Sequence, residues 1–233
     1  MEYLKDVVVF GYGKFGKSIA NSIKKEGNTN LLIAVNRDDE FELANLDGFK
    51  VIKFNLESDA SIENLDIKDG VSLICAMDNN HENLFLALTL REMYKNHYIL
   101  SISDSIHLTD KFKMAGVNRV IDIYSVSGNM ILNILNIPVA TKFLQGFINK
   151  THDYIFKEIE IKKGSPLHEK MLDSIDFEKY NIIFIGMIDR ERGNQFLFST
   201  VGINHKIDEG DILVCIGKEE DLNRFIKECG GGA

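Results

Sequence analysis

The stretch Val7-Val8-Val9-Phe10-Gly11-Tyr12-Gly13-Lys14-Phe15-Gly16 decides the fold of this chain. Its first four residues form an apolar run of the kind that becomes a buried parallel strand. The three glycines follow the spacing G-x-G-x-x-G, which is typical of a tight turn from a strand into a helix. After the turn, Phe15, Ile19 and Ile23 recur at every fourth position between polar residues, which predicts an amphipathic helix.

A glycine turn in this context is typical of a dinucleotide-binding site. The first glycine allows the tight turn, the second lets a pyrophosphate approach the backbone, and the third lets helix and strand pack closely. The N-terminus of the helix then faces the phosphates with its N–H groups. We therefore expect an adenine nucleotide here, with NAD, ADP and ATP all left open. The expected binding residues of the turn are Gly11, Tyr12, Gly13, Lys14, Phe15 and Gly16.

The end of the second predicted strand departs from this pattern. A typical NAD site places an acidic residue there, about 20 residues beyond the glycines, to bind the ribose hydroxyls. This chain has Asn36 instead, which can bond a hydroxyl without contributing charge. Arg37 follows, and it either contacts a phosphate, as in NADP sites, or is a solvated loop arginine, which we favour. Asp38 is predicted to be the N-cap of the next helix.

Polar side chains also follow the later strands of the N-terminal half. Ligands of an open parallel sheet bind beyond the carboxyl ends of its strands, so we expect these residues to line one cleft. They are Asn55, Met77, Asp78 and Asp104. Asp78 is also a good N-cap for a helix predicted over residues 82–95, and we favour the cap. That helix has Leu84, Phe85 and Leu88 at helical spacing.

The sequence localises no metal site, although a divalent cation stays open. Hard cations prefer clusters of carboxylates, and Asp104 has no second acid at a neighbouring inward position. The histidines His81, His107, His152, His168 and His205 lack paired spacing such as H-x-x-x-H, so zinc is not expected. Each is read as a surface or satisfied histidine. The acidic turn residues Asp189, Glu191 and Glu209 are read as a solvated face and not as an ion site.

Composition excludes several classes of protein. The 233 residues are 45% hydrophobic and 27% charged, as in ordinary globular proteins. A formal net charge of -8 without a run of basic residues argues against nucleic-acid binding. The three cysteines are far apart in the chain, which favours a reducing, cytoplasmic compartment. No apolar stretch approaches the roughly 18 residues of a membrane-spanning helix.

Three patterns follow one another along the chain. Strands and helices first alternate, which predicts an α/β fold with a Rossmann-like, doubly wound parallel sheet. Two helices separated by Pro138 follow as a helical connector. Alternation of period two, with a hairpin turn at Gly193-Asn194, then predicts a small α+β lobe. The predicted ranges are 1–124 for the N-lobe, 125–152 for the connector, 153–229 for the C-lobe and 230–233 for a flexible tail.

Together these segments resemble the RCK domain, the Trk/Ktr-type regulatory domain, TrkA-N plus TrkA-C, of potassium channels and potassium transporters. In the N-lobe the resemblance rests on residues 9–16, on Met77-Asp78-Asn79-Asn80-His81-Glu82-Asn83 and on Lys113-Met114-Ala115-Gly116-Val117. In the C-lobe it rests on residues 158–161 with 164–167, and on residues 209–213 with 216–218. Relatives with a calcium site at the strand ends have acids where this chain has Ala76 and Ile102, so that site is not expected.

The resemblance implies a cytoplasmic, ligand-sensing domain at the inner face of the cell membrane. Such domains pair through their connector helices into homodimers or larger rings, and ligand-dependent rearrangement of the ring gates a potassium channel pore. Candidate pairing residues are Ile137, Phe143, Leu144, Phe147 and Ile148, which alternatively pack beneath their own lobes.

Two other functions stay open, a stand-alone regulatory subunit of a Trk/Ktr-type transporter and an NAD(P)-dependent oxidoreductase. The oxidoreductase is disfavoured because it needs a proton donor beside the nicotinamide, often in a Tyr-x-x-x-Lys motif. The residue four positions after Tyr12 is glycine. A C-lobe of about 80 residues also leaves little room for a substrate pocket. We therefore assign no catalytic residue.

Overall fold

A six-stranded parallel sheet forms the first of two structural units. The computed structural model describes residues 6–27, 30–148, 153–193, 195–199 and 205–229. The predicted tail, Asn194 and His152 lie outside these residues. One unit ends at Leu132 and the other begins at Asn133. The strands of the first are β1 (Asp6–Phe10), β2 (Asn30–Val35), β3 (Lys50–Lys53), β4 (Ser72–Cys75), β5 (Tyr98–Ser103) and β6 (Arg119–Asp122).

The strand order in this sheet is β3-β2-β1-β4-β5-β6, and every neighbouring pair is parallel. The order reverses between β1 and β4, which opens a crevice beyond their carboxyl ends. The connecting helices are α1 (Lys14–Glu26), α2 (Asp38–Leu46), α3 (Asp59–Glu63), α4 (Asn80–Met93) and α5 (Thr109–Met114). This is the predicted Rossmann-like, doubly wound sheet.

Both faces of the sheet are buried, which explains the continuous apolar run of β1. Val8 and Phe10 point into a core cluster that also contains Leu73 and Leu86. The alternate residues Val7 and Val9 belong to a second cluster, with Ile33 and Ala20. Successive side chains of a strand point to opposite faces, so a strand covered on both sides must be apolar throughout.

In helix α4 the buried residues are not all of its apolar residues, and one of them is polar. Its inner face is formed by Asn83, Leu86, Ala87 and Leu90. Leu84 packs partly against the core, whereas Phe85 and Leu88 are half exposed. The polar Asn83 takes an inner position because its amide has partners at the strand ends, described below.

Two helices, α6 (Ile123–Asn136) and α7 (Pro138–Ile148), lie on either side of Ile137. Pro138 is the first residue of α7, where its missing N–H costs nothing. The Thr141 hydroxyl donates to the carbonyl oxygen of Asn133 at 3.0 Å across the bend. The predicted interruption at Pro138 is therefore confirmed. None of the helices in the described part of the chain is long and apolar enough to cross a membrane.

An antiparallel sheet of four strands forms the second unit. Its strands are β7 (Tyr154–Glu160), β8 (Ile183–Ile188), β9 (Phe196–Phe198) and β10 (Ile212–Lys218), in the order β7-β10-β8-β9. Helix α8 (Glu219–Cys229) follows β10 and buries Leu222 and Phe225 against Met187 and Leu213. The predicted α+β lobe is confirmed.

Candidate functional site

The glycine turn between β1 and α1 is pressed against the end of β4. Gly11 has φ +95°, and a Cβ atom there would lie 2.8 Å from the Cα of Met77. A Cβ at Gly16 would overlap the carbonyl oxygen of Gly11. Both neighbours are backbone atoms that cannot move aside, so only glycine fits at these two positions. The turn therefore brings the start of α1 to the crevice between β1 and β4.

Two backbone N–H groups of this turn donate to carboxylates of the same lobe. The N–H of Lys14, the first residue of α1, donates to both oxygens of Asp78, at 3.0 and 3.2 Å. The N–H of Tyr12 donates to Oε2 of Glu40 at 2.9 Å. Two of the groups that an anionic ligand would seek thus already have anionic partners.

The prediction that Asp78 caps the following helix is wrong. Asn79 is the N-cap of α4, and its side-chain oxygen accepts from the N–H groups of His81 and Glu82 at 2.8 and 3.3 Å. The helix begins at Asn80, two residues earlier than predicted, so the cap falls on the residue after Asp78. The Asp78 carboxylate is exposed and turns to α1 instead.

Glu40 is a residue of the site that the sequence analysis missed. It is only 6% exposed, and burial raises the pKa of its carboxyl group, against the effect of the Tyr12 N–H bond. The available indication was its position in α2, four residues before the buried Ala44, which places both on the inner face of that helix.

The prediction that Asp38 is the N-cap of α2 is wrong. Arg37 is the residue before the helix and Asp38 is its first residue. The Asp38 carboxylate accepts from Lys53 Nζ at 2.6 Å.

Tyr12 contributes its backbone and not its side chain to the cleft. Its ring is 2% exposed and packs against Phe49, with ring centres 5.6 Å apart. Its hydroxyl donates to Oδ2 of Asp47 at 2.7 Å, and burial together with this bond raises the pKa of the phenol. Phe15, the second residue of α1, likewise packs partly against the core. At these two positions the backbone, and not the side chain, is what the turn presents to the cleft.

Asn36 and Arg37 follow β2 at the edge of the cleft. Asn36 is partly buried. The guanidinium of Arg37 is exposed and donates to both carboxylate oxygens of Asp39, Nε at 3.0 Å and Nη2 at 2.5 Å. This pair lowers the pKa of Asp39 and raises that of Arg37. Of the two readings of Arg37, the geometry favours the solvated loop arginine.

Asn83 joins the ends of β4 and β5, and it too was missed. Its amide accepts from the Met77 N–H at 2.9 Å and donates to the Met77 carbonyl at 2.8 Å. It also donates to the carbonyl of Ile102 at 3.3 Å. Met77 itself is buried in the core, so it too offers only backbone to the cleft. The helical register of α4, with Asn83 in line with Leu86 and Leu90, was the available indication.

The two remaining predicted residues lie in strand-end turns. Asp104 follows β5, donates its N–H to Oδ1 of Asn80 at 3.2 Å and accepts from the amide of the same side chain. Asn55 follows β3, is exposed, and accepts from the N–H of Glu57 at 3.0 Å. Asn55 therefore stabilises its own turn, whereas Asp104 is linked to the start of α4.

One group of acidic and histidine side chains within the described residues could hold a metal ion, and it lies in the second unit. The ligand atoms of Asp189, His205 and Asp211 lie within 4.8 Å of one another. Asp189 is 3% exposed, so its assignment to a solvated face is wrong. It is buried because it closes a turn: its Oδ1 accepts from the N–H groups of Glu191 and Arg192 at 2.9 and 3.1 Å.

Asp211 and His205 complete this network. Asp211 accepts from the N–H groups of Arg190 and Asp208 at 3.0 and 2.9 Å. The ring nitrogens of His205 lie 3.6 Å from Asp189 and 3.3 Å from Asp211. His205 is thus a satisfied, buried histidine, as predicted. Asp189 and Asp211 are buried because each accepts from backbone N–H groups of a turn. The three side chains therefore stabilise the turns.

The chain is similar to proteins of potassium transport. Probable potassium channel protein 2 of Methanocaldococcus jannaschii is 28% identical over 228 residues, which cover 94% of this chain. This chain spans 65% of that protein's length. Ktr system potassium uptake protein C of Bacillus subtilis is 24% identical over 225 residues, 96% of each chain. The solved structure of the GsuK channel has the same fold, with a TM-score of 0.51 and 15% identity over 97% of this chain and 38% of that one.

Family models match both lobes. The TrkA-N domain matches residues 7–123, which contain the parallel sheet and the glycine turn. The TrkA-C domain matches residues 156–230, which contain the antiparallel sheet. The resemblance seen in the sequence is thereby confirmed, and the chain belongs to the TrkA-N family, with a TrkA-C domain following in the same polypeptide.

Proposed function

We propose that this chain is a cytoplasmic, nucleotide-sensing regulatory domain that gates a potassium channel at the inner face of the cell membrane. The support is its membership of the TrkA-N and TrkA-C families together with two relatives named for potassium transport. One relative is longer than this chain and one has the same length, so the pore is either part of the same polypeptide or a separate subunit. The stand-alone regulator of a Ktr-type transporter is the second candidate.

The observation that carries the nucleotide part is the glycine turn at the strand-order reversal. Backbone contacts at Gly11 and Gly16 hold the start of α1 at the crevice between β1 and β4, the place where open α/β sheets bind ligands. The N–H of Lys14 points into this crevice, where the Asp78 carboxylate accepts from it, and the helix N-terminus favours an anion. The residues present therefore fit the phosphates of an adenine nucleotide.

Other cleft residues would complete the nucleotide site. Asn36 would bond the ribose, and Arg37 would reach a phosphate only after leaving Asp39. Asp104 lies at the opposite edge, at the end of β5. NAD, ADP and ATP share the adenosine and phosphate groups that these residues would recognise.

The output part of the proposal rests on the connector helices. Ile123 to Thr141 is a stretch without a charged residue, yet most of its apolar side chains are exposed, among them Leu135, Ile137 and Val139. Exposed apolar surface of this extent is typical of an interface. We propose that a second copy of this chain covers it, giving a homodimer or larger ring whose shape follows the bound ligand.

Of the five pairing residues expected from the sequence, four fit this role better than the fifth. Ile137, Phe143, Leu144 and Ile148 are all about half exposed or more. Phe147 packs inside its own unit, with its ring centre 4.6 Å from that of Phe156 and 4.8 Å from that of Phe143. Phe147 is therefore less available for pairing than the other four residues.

We propose no enzymatic activity for this chain. The cleft residues described above are carboxylates and amides engaged with backbone groups, and none is placed with a relay that moves a proton to a substrate. Bound NADH should therefore not be oxidised by small carbonyl compounds.

Thermal unfolding with NAD, ADP, ATP and AMP tests the nucleotide site. A ligand that binds only the folded state raises the free energy of unfolding by mass action, and with it the melting temperature. At a ligand concentration one hundred times its Kd the gain in free energy is about 2.7 kcal/mol. Gly13→Asp puts a second carboxylate into the turn and should abolish the shift. Ser18→Asp adds the same charge at an exposed position of α1 and should keep it. If no nucleotide moves the melting curve at millimolar concentration, the proposed site is wrong.

A further inference from the structure

The proposed phosphate position is already filled by a side chain of the protein. Both oxygens of Asp78 accept from the N–H of Lys14 at the start of α1. A Cβ atom at Gly13 would overlap that same carboxylate. The space that the second glycine leaves open above the turn is therefore occupied by Asp78.

A nucleotide phosphate and Asp78 would compete for this space. Both are anions, both seek the N–H groups at the start of a helix of 13 residues, and that end of the helix favours one negative charge. Two anions in contact repel each other strongly. The Asp78 carboxylate must therefore leave the turn before a phosphate can bind there.

Asp78 is able to leave, and Glu40 is not. Asp78 is exposed on a turn, so its side chain can rotate into water without opening the core. Glu40, the other carboxylate on this turn, is 6% exposed and fixed beneath Tyr12. Only the first of these two carboxylates can be exchanged for a ligand.

We propose that Asp78 is an internal competitor of the nucleotide phosphates, bound to the turn in the free protein and displaced when a nucleotide binds. This inference rests on the proposed nucleotide site and adds the residue that sets its affinity for phosphate. It also explains how the site responds to a ligand without any chemical reaction. The turn bound to Asp78 is replaced by the turn bound to a phosphate.

The neighbours of Asp78 connect this exchange to two further elements. Asp78, Asn79 and Asn80 are consecutive, and each side chain is joined to a different part of the lobe. Asp78 is bonded to the start of α1, Asn79 caps α4, and Asn80 is bonded to Asp104 at the end of β5. Movement of Asp78 therefore changes the short segment that positions the start of α4 and the end of β5.

Affinity for AMP and for adenosine, measured by calorimetry, separates the phosphate from the rest of the ligand. Asp78→Asn keeps the shape of the side chain without its charge, and Asp78→Ala removes the side chain beyond Cβ. Both should bind AMP about tenfold more tightly than the unchanged protein, or about 1.4 kcal/mol. Adenosine should bind all three equally. Asp110→Asn, which removes an exposed charge of α5 outside the cleft, controls for net charge and should leave the AMP affinity unchanged.

The outcomes distinguish this inference from the proposed function. If the unchanged protein binds AMP and neither Asp78 variant binds it more tightly, the competitor role is wrong and the nucleotide site stands. If only the variants bind AMP, the competitor role is supported. If neither the protein nor its folded variants bind AMP, both proposals fail. Equal gains for AMP and adenosine would show a general change of the cleft and would also overturn the competition with phosphate.

Hydrogen exchange tests the connection to α4. In the unchanged protein, AMP should speed amide exchange at residues 79–83, because the segment loses its bond to the turn. In Asp78→Ala that bond is already absent, so AMP should not speed exchange there. An identical response in both proteins would overturn the connection.

Discussion

At the scale of single residues, the cleft depends on polar side chains that stand on the buried faces of helices, where apolar residues are usual. Glu40 and Asn83 both lie on inner faces of their helices, and both are tied to backbone groups at strand ends. A buried polar group is tolerated only when it is hydrogen-bonded. The register of each helix predicts that these residues face inward, but it does not predict their partners, because those are brought together only by the sheet.

The buried carboxyl group of Glu40 should make stability depend on pH. Burial raises its pKa in the folded protein, so the folded state holds this proton over a range in which the unfolded state has lost it. The free energy of unfolding should therefore fall as the pH rises from the ordinary pKa of a glutamate to the raised value. Glu40→Gln has no proton to lose and should not show this fall.

Urea unfolding between about pH 4 and pH 7 measures this effect. The stability of the protein minus that of Glu40→Gln should decrease across the range. Glu42→Gln, in the exposed face of the same helix, controls for the change in net charge. A difference that stays constant, or that grows with pH, would contradict the burial cost at Glu40.

At the scale of elements, the sequence predicts the strands well and the ends of the helices less well. After their first residue, strands such as β1 and β4 are apolar because the sheet is covered on both faces, and this property is visible in the sequence. Asp78 and Asn79 are both good capping residues side by side, so local propensity could not decide which of them starts α4. Tertiary contact decided it, since the first residue is taken by the turn before α1.

Removing the cap of α4 should lower stability without removing a core contact. Asn79→Ala leaves the N–H groups of His81 and Glu82 without their side-chain acceptor and should cost about 1 kcal/mol. Asn79→Asp keeps an acceptor at the cap and should stay close to the unchanged protein. Urea unfolding at pH 7 gives both values, and an alanine variant of unchanged stability would show that the cap has no energetic role.

At the scale of the whole molecule, the proposed nucleotide site lies in the parallel sheet and the proposed pairing surface lies on the connector helices. The glycine turn closes one side of the cleft at the end of the parallel sheet, whereas the connector exposes apolar side chains that a monomer leaves in water. A ring of copies would couple ligand binding in the cleft to movement at the connector. The ligand shifts the equilibrium between two ring shapes by as much as its affinities for those shapes differ.

Introducing charge into the connector should therefore dissociate the assembly and leave each copy folded. Val139 is 82% exposed in α7, and Val139→Asp would place a charged carboxylate in an apolar interface. Light scattering after gel filtration should show a dimer or larger species for the unchanged protein and a monomer for the variant. Met114→Asp, at a residue that is 87% exposed in α5, applies the same change outside the connector and should leave the assembly intact. If the unchanged protein is a monomer at micromolar concentration, the ring is contradicted. If Val139→Asp dissociates the assembly and Met114→Asp does not, the interface lies at the connector. The Val139→Asp variant should then also lose nucleotide-dependent gating.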